Sequence, residues 1–321
     1  MQLSVKKIFK KWLTKLHLIS LAIKLNHIYW GIKSIFTSKK ILASLGILTY
    51  VYSQKNLDKS FAGEAKSLKS ATKHIYDLNK YCVDIAASNG VEMSSTLQFY
   101  RDGWGGIAVE FDPERFSQLA FCYKEFGAVT LLRKKVTPTN VAEILISNQT
   151  PECFGVLNLD IDSYDLEVLI AIFQHGYRPT VISMEINEKI PPGIFFNVRY
   201  TPSHSWSGDH FYGCSLTAAS SIIRPYGYML IDLSYNNAIY VHKDVKTFSK
   251  DIFLDLQDKV AYELGYQFAI NRKEMFPQND EMEFLLDLEP EQAVSAIVGL
   301  FAKYPNKFDL WIEHLEKTRE I

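Results

Sequence analysis

The sequence predicts an α/β fold: a mainly parallel sheet of seven strands wound with helices, with a basic helical arm ahead of it and a helical extension behind. Three observations predict it. Short apolar runs alternate with helix-spaced segments from residue 80 onward. Several of those runs end in a carboxylate or a small-residue loop. Charge divides sharply between the first 57 residues and the rest. The 321 residues, 47% apolar and 22% charged, suit one large folded domain with appendages.

The arm comes first, over residues 1–60. It holds ten lysines before Asp58 and no acid, whereas the remainder carries 25 basic and 36 acidic residues, a net −11. In SVKKIFKKWLTKLHLISLAIK, Val5, Ile8, Phe9, Trp12, Leu13, Leu16, Ile19 and Ile23 recur at helical spacing, with Lys6, Lys7, Lys10, Lys11 and Lys15 on the other face. The longest uncharged run, Ile41 to Gln54, has 14 residues, short of the ~20 that span a bilayer. Lysines inside the apolar stretch and the lack of an A-x-A site argue against a secretory signal. Two readings of the arm stay open: contact with an anionic membrane surface, to which each lysine contributes roughly 1 kcal/mol, or packing on protein. Nucleic acid is disfavoured, because the body is acidic and has no recognised binding motif.

The body, residues 61–248, supplies the strands. YCVDIA (81–86), GGIAVEF (105–111), AVTLL (128–132), FGVLNLDI (154–161), TVISMEI (180–186), YMLIDL (228–233) and AIYVH (238–242) are separated mostly by helical patterns, as βαβ units require. Ser-Tyr-Asn-Asn between the last two predicts an antiparallel hairpin closing the sheet. The arrangement is Rossmann-like. Residues 249–321 read as helical, with Glu289-Pro-Glu-Gln-Ala-Val opening one helix. Cys82, Cys122, Cys153 and Cys214 are scattered without a C-x-x-C pair, so reduced, buried thiols in a cytoplasmic protein are expected.

In such a sheet ligands sit at the carboxyl ends of the strands. The first strand ends in Asp84 and a small-residue loop through Ala86 to Gly90, and the second ends in Glu110, twenty residues further on. Glu110 is placed to accept from both hydroxyls of a ribose. Asp84 at the mouth of the loop would repel a pyrophosphate and attract an ammonium. The loop also lacks the G-x-G-x-x-G pattern. Both points favour S-adenosylmethionine over NAD.

At this point the chain resembles the class I S-adenosylmethionine-dependent methyltransferases, and its middle resembles their FkbM-like group. VTPTNV (136–141), LDIDSYD (159–165), MEIN (184–187) and YGCSL (212–216) follow the loop in the order of that branch, over residues 75 to 245. The resemblance implies that Asp84, Ala86 and Gly90 line the methionine end of the cofactor, that Glu110 holds the ribose and that Asp160 faces the methyl group. It also implies methyl transfer to a hydroxyl of a sugar, glycan, lipid or secondary metabolite. Three departures stand out: Ala86 for the usual glycine, Ser163-Tyr164 for glycine-asparagine, and Ile186 for tyrosine. They motivate the alternative, a weakened methyltransferase fold that binds a membrane or partner.

The same acids have a second reading. Asp160, Asp162, Glu185 and Asn187 can supply oxygen ligands to a divalent metal. Helix capping by Asp162 and Asp165, with cofactor contacts from Asp160, is the preferred account, so no metal is assigned. In SHSWSGDHFYG (203–213), His210 and His204 are candidate general bases, with Asp160 as a rival and Asp209 as a possible orienting group. A peripheral position on the inner face of the membrane follows if the arm meets lipid. The sequence sets no oligomeric state.

Overall fold

Apolar runs bounded by polar loops pair into strands because only pairing satisfies their backbone groups away from water. In the computed structural model, which describes residues 60–249 and 252–313, the strands are β1 (Tyr81–Ile85), β2 (Gly105–Glu110), β3 (Val129–Arg133), β4 (Val156–Leu159), β5 (Val181–Glu185), β6 (Ile194–Val198), β7 (Tyr228–Ser234), β8 (Asn237–His242) and β9 (Phe308–Ile312). The arm expected over residues 1–60 lies, but for Ser60, outside the described residues.

Seven strands form one sheet in the order β3-β2-β1-β4-β5-β8-β7. β1 to β5 run parallel, and β8 lies antiparallel between β5 and β7. All seven expected strands are present. The expected hairpin turns at Tyr235 and Asn236. β4 and β5 are buried along their whole length, as strands covered on both faces must be, whereas edge strand β3 is half-exposed.

Helices cover both faces: α1 (Glu64–Lys73), α2 (Leu97–Arg101), α3 (Pro113–Tyr123), α4 (Val141–Ser147), α5 (Asp165–Gln174) and α6 (Leu216–Ile223). The start of α3 is set locally, since Asp112 accepts the N–H groups of Glu114 and Arg115 at 2.9 and 2.8 Å and Pro113 needs no donor partner there. Val83, Ile85, Leu157, Leu169, Ile182 and Met184 form the centre of the core.

The region after 249 departs from the all-helical expectation. It holds short helices α7 (Asp258–Tyr262) and α8 (Arg272–Met275), a 3₁₀ segment over Pro277–Asp287 and α9 (Pro290–Leu300), then ends in β9. β9 pairs antiparallel with β6, and Phe195 stacks on Trp311 with ring centres 3.7 Å apart. The partner strand lies more than a hundred residues away in the chain, so no local pattern could announce the pairing. The segment packs on the body through its own core of Phe196, Phe211, Leu285, Ile297 and Phe301. Of the four free thiols, Cys153 is exposed and the other three are buried, correcting the expectation that all four are buried.

Candidate functional site

Strand order reverses between β1 and β4, and loops leaving their carboxyl ends diverge there. A cavity of about 890 Å³ opens at that point. Its lining includes nine carboxylates and three lysines, so its field favours a cationic ligand.

Asp84, on β1, is 2% exposed and borders the cavity. It accepts from the Thr96 hydroxyl at 2.6 Å and from the Asn158 amide at 2.9 Å. Burial pushes its carboxyl up to about 6, against the pull of those two donors. A positive group beside it would restore the ionised form.

The loop after β1 is wound tightly. Ala86 has φ +68° and Ser88 φ +50°, a left-handed backbone that costs an L-residue roughly 1–2 kcal/mol. Ala86 thus follows the path a glycine would take, and its methyl group does not divert the chain. The Glu110 carboxylate holds this loop, accepting the Ser88 N–H at 2.8 Å and the Asp112 N–H at 2.6 Å. Each oxygen keeps a lone pair for a ligand.

Gly90 stands apart. It does not line the cavity, and a Cβ there would come within 2.5 Å of Leu119 and 2.6 Å of the Tyr123 ring. Its glycine is required by the packing of α3 against the loop.

The loop after β4 brings acids together. Asp165 begins α5 and accepts the N–H groups of Ile161 and Ser163 at 2.8 and 3.1 Å, which folds the chain so that Asp162 takes φ +55°. Asp162 therefore does not cap α5; the preceding residue of that helix is Tyr164. Asp160, Asp162 and Glu185 each place a carboxylate oxygen within 4.8 Å of the others. Burial, then mutual repulsion, raises the Asp160 and Glu185 carboxyls well above the ordinary range. Asn187 is fully buried, and its amide donates to the carbonyls of His210 and Tyr212, both at 2.9 Å, fastening the histidine loop to the end of β5.

Both histidines reach the cavity wall. The His204 ring is 7% exposed, packs edge-on to Phe211, and leaves Nε2 buried without a partner. Burial, helped by Lys307 and Lys135, lowers its pKa. His210 Nε2 lies 3.2 Å from the Glu281 carboxylate. Asp209 orients neither ring by a hydrogen bond. Its carboxylate takes Lys303 at 2.8 Å and the Tyr304 hydroxyl instead, tying the loop to the segment after α9.

Sequence reasoning missed several residues. Glu64 on α1 is buried at the cavity, where it accepts from the Ala62 N–H and the Ser95 hydroxyl at 2.8 and 3.0 Å. Lys189 is a buried lysine in the cavity wall, donating to Glu188 at 3.1 Å and to the Tyr212 hydroxyl at 2.8 Å. Burial raises the Glu188 carboxyl, but Lys189 and the donors Tyr212 and Asn279 outweigh it and hold the group ionised. Tyr164, one of the sequence departures, is core: its hydroxyl donates to the Val136 carbonyl at 3.1 Å and joins two of the motif segments. A run such as EK after the fifth strand was the one signal that could have pointed to Lys189.

No protein-family model matches the chain, and no curated protein matches it. Among solved structures it is similar to the N-terminal domain of EvdMO1 in the presence of SAH and D-fucose, at 10% identity over 56% of this chain and 82% of that one, with a TM-score of 0.37. It is similar to M. capricolum TrmK in complex with S-adenosyl-homocysteine, at 8% identity over 70% and 88%, TM-score 0.36. It is also similar to a S-adenosylmethionine-dependent methyltransferase from Clostridium acetobutylicum, at 12% over 58% and 93%, TM-score 0.35. At identities this low the fold assignment stands on strand order and crossovers. The strand order β3-β2-β1-β4-β5-β8-β7, with β8 the one antiparallel strand of the sheet, decides it. The fold is Rossmann-like, a doubly wound α/β sheet closed by an antiparallel hairpin.

Proposed function

We propose that this chain is an S-adenosylmethionine-dependent methyltransferase of the FkbM-like kind, acting on a hydroxyl of a sugar, glycan or other small molecule. The observation that carries the reading is Asp84: a buried carboxylate at the switch point of the sheet, in a cavity where acids outnumber lysines three to one. A pyrophosphate cofactor would meet repulsion there, whereas an ammonium and a sulfonium would meet attraction. The residues fit S-adenosylmethionine. When bound, it supplies an electrophilic methyl group on a positively charged sulfur.

The chain's own residues do the rest. Asp84 holds the ammonium, and the free lone pairs of Glu110 accept from the ribose hydroxyls. Walls of the cavity exclude water and align donor with acceptor, which is the main contribution a protein makes to such a displacement. A base then takes the hydroxyl proton. His204 suits that role best among the three candidates, because its ring is held neutral and Nε2 carries no competing hydrogen bond. His210 is engaged by Glu281, and Asp160 sits among like charges. Ala86 favours this reading over a decayed loop, since its backbone keeps the left-handed path of glycine.

Calorimetric titration with S-adenosylmethionine and S-adenosylhomocysteine tests the proposal. Micromolar binding, lost in Asp84→Ala and Glu110→Ala, is expected. A well-folded chain that binds neither compound at millimolar concentration would refute it.

A further inference from the structure

Helix α7 (Asp258–Tyr262) runs on without a break into a π-helical turn over Glu263–Gln267. The inner face of this helix is full. Ala261, Tyr262 and Tyr266 are 1, 1 and 2% exposed. Three hydrogen bonds fix its rotation about its own axis. The Tyr262 hydroxyl donates to the Glu188 carbonyl at 2.6 Å, the Tyr266 hydroxyl accepts from the Asn279 amide at 2.9 Å, and the Gly265 carbonyl accepts the Tyr235 N–H at 3.0 Å. Gly265 lets the helix lie directly on edge strand β7, since a Cβ there would come within 2.0 Å of the Leu233 carbonyl oxygen.

The outer face is apolar where a surface helix is ordinarily polar. Val260, Leu264 and Phe268 stand four residues apart on one side and are 40, 70 and 70% exposed; Ile270, just past the helix end, is 81% exposed. Because the inner face is filled and locked, this stripe cannot turn inward to the core formed by the described residues. At roughly 150–200 Å² for a large apolar side chain, the four leave on the order of 400–500 Å² open, a patch of the size that marks an interaction site. That is about half of the ~800 Å² each partner buries in a standard protein interface, enough for its apolar centre. The charge beside the stripe selects the kind of partner. Lys259 and Glu263 pair at 3.9 Å and Gln267 continues their column, so the flank carries no net charge. An anionic bilayer calls for cationic flanks, whereas a protein surface does not.

We infer that Val260, Leu264 and Phe268, continued by Ile270, form the contact between two copies of this chain, helix against antiparallel helix about a two-fold axis. A two-fold contact is made by one patch twice, so an apolar stripe on one copy meets the same stripe on the other without a second matching surface. Antiparallel pairing also sets the flanking column against its own copy in reverse, which brings a lysine of one copy toward a glutamate of the other. The locked inner face means that the stripe is already in place before association, and little ordering has to accompany the contact. Leu264 and Phe268 are the side chains on the helix that offer the most apolar surface, so they carry most of the affinity. The pairing does not depend on the methyl-transfer reading above.

The test is sedimentation velocity of the full chain from low micromolar to near-millimolar concentration. A reversible dimer is expected. Leu264→Glu and Phe268→Glu should each weaken it by at least about thirtyfold, because either one sets a charge in the apolar contact. Ile146→Glu, at an apolar residue of α4 that is 62% exposed, should leave it unchanged. Both stripe positions face outward, so the variants should keep the far-ultraviolet circular dichroism and Tm of the parent, and one folded variant is enough to decide. A chain that stays monomeric at near-millimolar concentration would overturn the inference, as would a dimer equally strong in a folded Leu264→Glu or Phe268→Glu protein. Sedimentation of a monomeric chain with phosphatidylcholine–phosphatidylserine vesicles, lost in both variants, would overturn it in favour of lipid.

Discussion

The carboxylate of Glu110 accepts the backbone N–H of Ser88 at 2.8 Å, so the end of β2 fixes the loop that follows β1. A residue expected to bind ribose also sets the shape of the pocket that would receive the rest of the cofactor. Glu110→Ala should therefore do two things at once. Cofactor binding is lost, and hydrogen exchange at Ser88 and Asp112 accelerates even without ligand, because both N–H groups lose their acceptor. Unchanged exchange at those amides would separate the two roles.

Ala86 occupies a backbone conformation with φ +68°. Relief of the left-handed penalty, roughly 1–2 kcal/mol, is partly offset by the greater unfolded-state freedom of glycine. Ala86→Gly is expected to stabilise the fold by up to about 1 kcal/mol, a rise in Tm of about 2–4 °C. Thermal unfolding of the two proteins checks this; a fall in Tm would mean that the methyl group makes a contact that outweighs the strain.

Cofactor affinity should depend on pH through Asp84, whose carboxyl is pushed up to about 6. Only its ionised form attracts an ammonium, so affinity falls as pH drops through about 6, approaching tenfold per pH unit below it. Stability of the ligand-free chain runs the other way. The folded group binds its proton more tightly than the unfolded one, so this contribution grows as pH falls from about 6 toward about 4 and is lost as pH rises again. Titrations across that window, with Asp84→Asn as the flat reference, test both signs.

Asn187 ties the histidine loop to β5 through two carbonyls. Asn187→Ala removes both donors from a fully buried position and should destabilise the protein by roughly 2–3 kcal/mol in urea unfolding. Displacement of His204 and His210 from the cavity wall should depress turnover further than the stability loss explains.

For the arm the prediction comes from charge alone. Ten lysines without an acid before Asp58 should give co-sedimentation with anionic but not neutral vesicles, abolished by deleting residues 1–57. Equal recovery with and without the arm would remove the membrane from consideration.

The seven strands of the main sheet were legible because each is a short, mainly apolar run ended by a turn or a carboxylate, and the central β4 and β5 are buried on both faces. β6 and β9 were not. IFFNV and FDLWI become strands by pairing with each other across more than a hundred residues, a relation no window of sequence contains. The roles of particular side chains divided in the same way. Asp84 and Glu110 could be placed by their position at strand ends, whereas Gly90 looked like a ligand contact and is a packing requirement of α3.

By itself, then, the sequence determined the α/β class, the order of strands along the chain, the acidic character of the strand ends and the isolation of positive charge in the first 57 residues, all of which follow from local pattern and composition. Tertiary structure decided which acids meet. Asp160, Asp162 and Glu185 converge only because β4 lies beside β5 and Asp165 folds the loop between β4 and α5. Asp209 is drawn to Lys303 and Tyr304, and Lys189 to Tyr212, by chain segments that are distant in sequence. Burial and electrostatic pairing depend on what surrounds a group in space, and that neighbourhood exists only once the chain has folded.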